Sequence, residues 1–373
     1  MKTGCCHNMY CFLYMSQCII LFEADKSKAF FTDKRNKNRF LYNLKGGGCK
    51  KIMAKQRLIV MRLEEIHMFG AILGDIIGSP YEFDRGNKSK EFSLFIKNSK
   101  FTDDTVMTVA VANGIMAAGV DADDNLIKEC IIDAMHLWGN EYPDAGYGCK
   151  FSEWLYFKDR KPYNSFGNGS AMRVSAAGWI GEDLASVRRL ARLSAEVTHN
   201  HPEGIKGAEA IASAIFMAKN NFTKEEIKGY TVSEFEYDLS RTCDEIRPDY
   251  YHVESCQETV PQAITAFLEG EDFEDVIRIA VSLGGDCDTL TAIAGSMAEA
   301  FYGVPAWLKY ECYERLDANL RNILSDFELR YQFKEYTALK YHPMYWFSKD
   351  KDGIVQLQKP FAEPETVREP PDR

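Results

Sequence analysis

Two short stretches of the chain carry the residue types of a hard-metal site. Gly284-Gly285-Asp286-Cys287-Asp288-Thr289 sets two carboxylates two residues apart, with a hydroxyl beside them and a glycine pair in front. It stands where an apolar helical run through Leu290, Ile293, Ala294, Met297 and Phe301 begins. Phe101-Thr102-Asp103-Asp104-Thr105 repeats that chemistry upstream, ahead of a second run through Val106, Val109, Ala110, Asn113 and Ala117. Divalent cations of the Mg²⁺ type choose carboxylate and hydroxyl oxygens over nitrogen or sulfur. Asp286, Asp288 and Thr289 suit such an ion, and Thr102, Asp103 and Asp104 have the same composition. Each cluster taken singly also reads as an ordinary helix start, since Asp and Thr are common caps. Adjacent acids repel unless a cation or solvent separates them, and the pair of clusters together predicts one shared cation site.

Those clusters need helices to hold them, and helical spacing recurs along the body of the chain. Gly70 to Glu82 is an apolar run with Gly70, Gly74 and Gly78 four residues apart, which puts a smooth stripe on one helix face. Glycine costs a helix interior about 1 kcal/mol against alanine, so three of them imply a closely approaching neighbour or ligand. Asp75 inside that run is expected to support the site, and Pro80 to end the helix. Further helices are expected over Asp124 to Trp138, Val174 to Ile180, Leu184 to Val197, Ile205 to Lys219, Gln257 to Leu268, Phe273 to Leu283 and Trp307 to Asp326. The polar stretch Phe222 to Tyr251 reads as a short helix and a loop on the surface. Strand alternation does not persist in this region, so the fold class expected is all-α.

Ser165-Phe166-Gly167-Asn168-Gly169-Ser170-Ala171-Met172-Arg173 is a Gly-Asn-Gly loop feeding a helix. Such a loop leaves backbone N–H groups free for phosphate or hydroxyl oxygens, although a plain capped turn has the same composition. Thr198-His199-Asn200-His201-Pro202 offers two histidines, but with no cysteine or third histidine nearby zinc is not expected, and one of the two suits a helix end.

A chain of 373 residues with 46% hydrophobic content can bury a large core. Its formal charge of −10 argues against a nucleic-acid surface, which needs a basic face. Eleven cysteines without regular spacing read as reduced thiols, which points to the cytoplasm. Five of them, Cys5, Cys6, Cys11, Cys18 and Cys49, crowd the first fifty residues without zinc-finger spacing. Met9 to Phe22 is interrupted and shorter than the roughly 20 residues of a membrane span, and no signal-cleavage pattern follows it. Asp25 to Arg39 and Lys45 to Lys51 read as linker or tail, residues 1–65 as an extension outside the folded enzyme, 66–350 as the folded domain, and 351–373 as a C-terminal tail whose last dozen residues, proline-rich and charged, are expected to be disordered.

Five stretches taken in order, Gly70 to Glu82, Phe101 to Thr105, Ser165 to Arg173, Thr198 to Gly204 and Gly284 to Thr289, resemble the ADP-ribosylglycohydrolase family, which includes the dinitrogenase reductase-activating glycohydrolases. The resemblance runs from about Met68 to about Leu320. It implies a compact all-α domain with two Mg²⁺ ions in a cleft, Mn²⁺ being an alternative. It implies metal ligands at Thr102, Asp103, Asp104, Asp286, Asp288 and Thr289, with Glu82 at the edge of the metals. Ser165, Gly167, Asn168 and Gly169 would cradle the diphosphate and distal ribose, Phe166 would meet the adenine, and His199 would touch ribose or phosphate, with His201 and Arg173 supporting. The activity implied is hydrolysis of the glycosidic bond between ADP-ribose and an acceptor, on an ADP-ribosylated protein or a small ADP-ribosyl compound. Carboxylates would stabilise an oxocarbenium-like state while one of them, Asp103, Asp104 or Asp288, takes a proton from water. Two other readings are a different Mg²⁺ enzyme such as a phosphate-ester hydrolase, and a non-catalytic ADP-ribose reader or structural protein of the same fold. The first would need a basic phosphate clamp, and the second loss of the metal acids; all six candidate ligands are present.

Met53, Met61 and Met68 each precede the first strongly patterned helix. A truncated chain starting at Met61 is expected to fold with an undiminished helical signal by circular dichroism, and loss of that signal would make the upstream part integral.

Overall fold

The computed structural model describes residues 67–85, 88–157 and 160–332, together with six strand segments at 11–15, 18–22, 28–33, 39–43, 346–349 and 355–358. The chain divides into two compact units, Met1–Glu65 with Pro305–Glu311, and Ile66–Val304 with Cys312–Arg373. In the first, β1 (Cys11–Met15), β2 (Cys18–Phe22), β3 (Lys28–Asp33) and β4 (Arg39–Asn43) form an antiparallel sheet in sequence order. Met15 faces Cys18, Phe22 faces Ala29, and Thr32 faces Arg39 in register. Apolar runs of this length bounded by polar residues make strands, so the linker reading of Asp25 to Arg39 is corrected at β3 and at Arg39, where β4 begins. Cys5, Cys6, Cys49, the segment Lys45 to Lys51 and the tail beyond residue 358 lie outside the described residues.

Between residues 67 and 332 the named elements of the body are all helical, as expected. The glycine-striped run forms α1 (Phe69–Gly78), and Ser79-Pro80-Tyr81 ends it as a single 3₁₀ turn. There follow α2 (Asp103–Ala118), α3 (Asp124–Glu141), α4 (Cys149–Tyr156), α5 (Gly169–Met172), α6 (Ser175–Ile180), α7 (Leu184–Glu196) and α8 (Pro202–Lys219). After these come α9 (Lys224–Phe235), α10 (Cys243–Ile246), α11 (Cys256–Glu269), α12 (Phe273–Leu283), α13 (Cys287–Tyr302), α14 (Ala306–Arg315) and α15 (Ala318–Gln332). A short hairpin, β5 (Trp346–Lys349) with β6 (Val355–Gln358), follows them.

Three details differ from the sequence pattern, the first two for a capping reason. The stretch from Trp307 is two helices, because Asp317 Oδ1 accepts from the N–H groups of Asn319 and Leu320 at 2.9 and 3.1 Å and starts a new one. The polar stretch after Phe222 holds two helices, each with a capping box, Thr223 with Glu226 and Thr242 with Glu245. The glycine loop contains a one-turn helix of its own, α5.

At the centre lies α13, buried from Cys287 through Glu299 and packed on α1, α8, α11 and α12. A helix buried on every side is read from its partners rather than from an apolar face. Its closest partner is α1. A methyl group on Gly74 would stand 2.2 Å from the Thr291 carbonyl oxygen, one on Gly70 2.2 Å from that of Gly295, and one on Gly78 2.6 Å from the Asp288 Cα. The stripe is thus a backbone-to-backbone contact. Glu299 of α13 completes it by accepting from the Phe69 and Gly70 N–H groups at 3.2 and 2.8 Å, which are orphan donors at the start of α1.

Gly74→Ala is expected to destabilise the protein by about 3 kcal/mol, the upper range of overpacking penalties, despite the better helix propensity of alanine. Urea unfolding followed by circular dichroism measures it.

Candidate active site

The α1–α13 contact carries Asp75 to the N-terminus of α2. Asp75 is fully buried, and its carboxylate accepts from the Thr102 N–H (2.8 Å), the Thr102 hydroxyl (2.8 Å), the Thr105 N–H (3.0 Å) and the Thr105 hydroxyl. The cap residue of α2, Thr102, has no side-chain cap of its own; an acid 27 residues upstream does that work instead. Burial pushes Asp75 up to about 6 despite these donors. Asp75 is thereby the support expected of it, and the Thr102 hydroxyl points to it.

The two acid clusters meet around Asp288. One carboxylate oxygen each from Asp75, Asp104 and Asp288 lies within 4.8 Å of the others, and the same holds for Glu82, Asp286 and Asp288. Asp288 belongs to both groups. Asp104 accepts from the Thr289 hydroxyl at 3.0 Å through one oxygen, while its Oδ1 is buried without a hydrogen-bond partner. Cys287, between the two acids, turns its thiol toward the Val281 carbonyl at 3.7 Å. An all-oxygen donor set with an orphaned buried oxygen fits hard divalent cations and not a soft metal. Burial, and then the neighbouring acids, hold Asp104 and Asp288 well above the usual carboxylate range. Asp286 is also raised, chiefly by burial.

Asp103 and Glu82 stand at the rim, both half-buried. The Asp103 N–H donates to the Ala145 carbonyl at 3.0 Å, and its Oδ1 faces Gly146. Asp103 belongs to neither triad; burial, Asp75 and Asp286 push it up to about 8. Glu82 is pushed up to about 7 by burial and Asp286. Its loop is fastened by the next acid. Asp84 accepts from the Gly285 N–H (2.9 Å) and the His252 N–H (3.1 Å), so the Glu82 turn and the start of the Asp286 cluster are tied together. Lys88 donates to the Arg247 and Tyr250 carbonyls and anchors the far side of the same turn.

The Gly-Asn-Gly loop adjoins this cluster. Asn168 is buried, and its side-chain amide donates to Asp286 Oδ2 at 2.6 Å and to the Thr259 hydroxyl at 3.1 Å. Its backbone N–H donates to the Glu254 carbonyl. Asn168 therefore ties the loop to the acids by its side chain. The Ser165 hydroxyl accepts from the Gly167 N–H at 3.1 Å, and the ring of Phe166 is 50% exposed, open to a flat partner. His199 is buried with Nε2 toward Gly167 and Gly169, 3.3 and 3.2 Å from where their side chains would start. His201 caps α8, its Nδ1 accepting from the Glu203 N–H at 3.1 Å, the helix-end role expected for one histidine. Arg173 is buried and donates to the Thr198 hydroxyl at 2.7 Å.

A family model described as ADP-ribosylglycohydrolase matches residues 67–336. The chain belongs to the ADP-ribosylglycohydrolase family. Human ADP-ribosylhydrolase ARH3 is 28% identical over 333 residues, covering 66% of this chain and 89% of that protein. ADP-ribosyl-[dinitrogen reductase] glycohydrolase of Rhodospirillum rubrum is 25% identical over 63% of this chain and 84% of its own length. ADP-ribosylarginine hydrolase Tri1 of Pseudomonas putida is 27% identical over 61% and 71% respectively. A solved structure titled ADP-ribosylglycohydrolase-related protein complex superposes with a TM-score of 0.54 at 22% identity over 72% of this chain and 97% of that one, a likeness of fold.

In this ADP-ribosylglycohydrolase the structure gathers Glu82, Asp104, Asp286, Asp288 and Thr289 at one point and places Thr102 and Asp103 beside them. It adds Asp75 to the first triad; the signal in the sequence was a lone acid in an otherwise apolar helix. Thr259 and Thr198 carried no signal, because each acts through a partner distant in sequence or through a side-chain geometry that spacing does not encode.

The raised acids fix a pH dependence. Asp103 at about 8 and Glu82 at about 7 lie above their ordinary 3.8 and 4.5, so the folded state holds more protons than the unfolded chain between those values. Their contribution to stability is present below the ordinary values and is lost as pH rises through the folded ones. In chelator, the melting temperature is expected to fall from about pH 5 to about pH 8, and millimolar Mg²⁺ to remove or reverse that fall by mass action. Thermal melts in paired buffers measure it.

Proposed function

We propose that this chain is a Mg²⁺-dependent hydrolase that cleaves the glycosidic bond between ADP-ribose and an acceptor, a protein side chain or a small molecule, and so reverses ADP-ribosylation. The observation that carries the reading is the pair of carboxylate triads sharing Asp288, joined through Asn168 to the Gly-Asn-Gly loop. Family membership supports the same class of reaction. Asp75, Asp104, Asp288, Asp286 and Glu82 would hold two Mg²⁺ ions, with Thr289 and Thr102 alongside; Mn²⁺ would satisfy the same donors. When bound, such cations supply charge that offsets the acids and polarises the vicinal hydroxyls of the ribose next to the anomeric carbon.

The chain's own residues do the rest. Asp286, Asp288 and Asp104 surround the ribose with negative charge, which favours the oxocarbenium-like state in which the glycosidic bond breaks. Asp103 stands outside both triads, half-buried, and is the base that takes a proton from the water attacking the anomeric carbon. The leaving group departs with a proton returned to it, so the base is regenerated. Glu82 closes the rim on its short turn. Gly167 and Gly169, without side chains, let the diphosphate approach the backbone, Ser165 and His199 flank it, and the exposed Phe166 ring receives the adenine.

Six described cysteines, Cys130, Cys149, Cys243, Cys256, Cys287 and Cys312, are free thiols, which supports a reducing compartment such as the cytoplasm. Among the described residues no helix is long and apolar enough to cross a membrane.

Release of free ADP-ribose from serine-linked and arginine-linked protein substrates is expected with Mg²⁺ and not with chelator. It is expected to fall by on the order of 10²–10³-fold in Asp286→Asn/Asp288→Asn. Tight ADP-ribose binding without release from either substrate would replace the hydrolase by a binding protein of the same fold.

A further inference from the structure

Arg173 is a full charge in the interior whose position the chemistry above leaves unexplained. It is 1% exposed, no carboxylate lies within 4.0 Å of it among the described residues, and its Nε has no hydrogen-bond partner. Burying a guanidinium without an ion pair is costly, so what it does hold matters. Its Nη2 donates to the Thr198 hydroxyl at 2.7 Å and to the Ser194 carbonyl at 3.3 Å, and its face lies over the Phe151 ring with the carbon 5.8 Å from the centroid. The Thr198 hydroxyl is in turn 2.7 Å from Nδ1 of the next residue, His199.

The direction of these hydrogen bonds follows from donor counting. Arginine only donates, so it occupies a lone pair of the Thr198 oxygen. Thr198 is fully buried, and its single hydroxyl proton has no acceptor among the described residues except His199 Nδ1. That proton goes to Nδ1, which must then be unprotonated, and the ring's own proton sits on Nε2. Burial and the charge of Arg173 both disfavour the imidazolium, which keeps the ring neutral. Nε2–H points at the inner side of the Gly167-Asn168-Gly169 loop.

We propose that Arg173 is a positioning residue: through the Thr198 hydroxyl it locks His199 in the neutral Nε2–H tautomer, so that the cradle presents a fixed hydrogen-bond donor to the diphosphate or ribose oxygens of ADP-ribose. The ligand half of this rests on the functional reading above; the tautomer does not. A freely flipping or Nδ1-protonated ring would turn a lone pair toward an anionic oxygen and oppose it. The alternative role for Arg173, filling space beside Phe151, leaves the tautomer indifferent to its charge.

The test is side-chain ¹⁵N–¹H correlation spectroscopy of the full-length chain, with His199 assigned by its loss in His199→Gln, alongside calorimetric titration of ADP-ribose. The wild type is expected to show His199 protonated at Nε2 only. Thr198→Val and Arg173→Met are each expected to release the tautomer and weaken ADP-ribose binding about tenfold. Thr198→Ser is expected to keep both properties; if Arg173→Met does not fold, the Val and Ser pair decides. An Nδ1-protonated or cationic ring in the wild type, a Thr198→Val or folded Arg173→Met protein with an unchanged tautomer, or a released tautomer with unchanged affinity overturns the proposal. Failure of the wild type to bind ADP-ribose overturns the functional reading and the ligand role of His199 with it, and the tautomer measured in the free protein tells that failure apart from a wrong assignment of Arg173.

Discussion

Everything at the acid cluster depends on two helices touching backbone to backbone. Because α1 meets α13 through Gly70, Gly74 and Gly78, no side chain separates them, and Asp75 comes within ligand distance of Asp288. Gly78 lies against the Asp288 Cα itself, so the same contact that aligns the helices also sets how far the α13 terminus reaches. A pair of helices held apart by ordinary side chains would stand 8–10 Å axis to axis, and short acids could not then meet across it.

The second organising device is the use of acids to finish helices other than their own. Asp75 on α1 satisfies the orphan donors of α2, and Glu299 on α13 satisfies those of α1. The three helices that make the site are therefore linked in a chain of carboxylate caps. An acid at a helix N-terminus is favoured by the partial positive charge there, which offsets part of the repulsion among six buried or half-buried carboxylates. Burial, and after it the remaining repulsion, raises Asp103 and Glu82. The cluster is thus held together by the fold in spite of its own charge, the arrangement expected of a cation site.

Much of this was legible in the sequence where the signal is local. Helical spacing located α1, α2, α12 and α13, and the acid pairs at the starts of α2 and α13 marked the chemistry before any contact between them was known. What was not legible is non-local or depends on which polar group wins a donor. Asp317 reads as one more charged residue in a helical run, yet its cap bonds divide α14 from α15. Asn168 reads as a loop residue free to meet a ligand, yet Asp286, 118 positions away, takes its amide. Cys11 to Phe22 reads as one broken apolar segment because its two halves are alike in composition; only pairing reveals them as neighbouring strands. The Arg173–Thr198–His199 relay combines a local and a distant contact, and neither residue type nor spacing specifies its direction.

The glycine stripe also decides where this protein can change. What a side chain at Gly70 or Gly74 would meet is a main-chain carbonyl, which cannot swing aside as a rotamer does. Drift in sequence is therefore shut out of the helix pair that frames the acids. It remains open at the exposed Phe83 and Arg85 and on the neighbouring surface at Tyr251, which border the cluster without building it. Change has room there, while the helix pair that frames the acid cluster stays as it is.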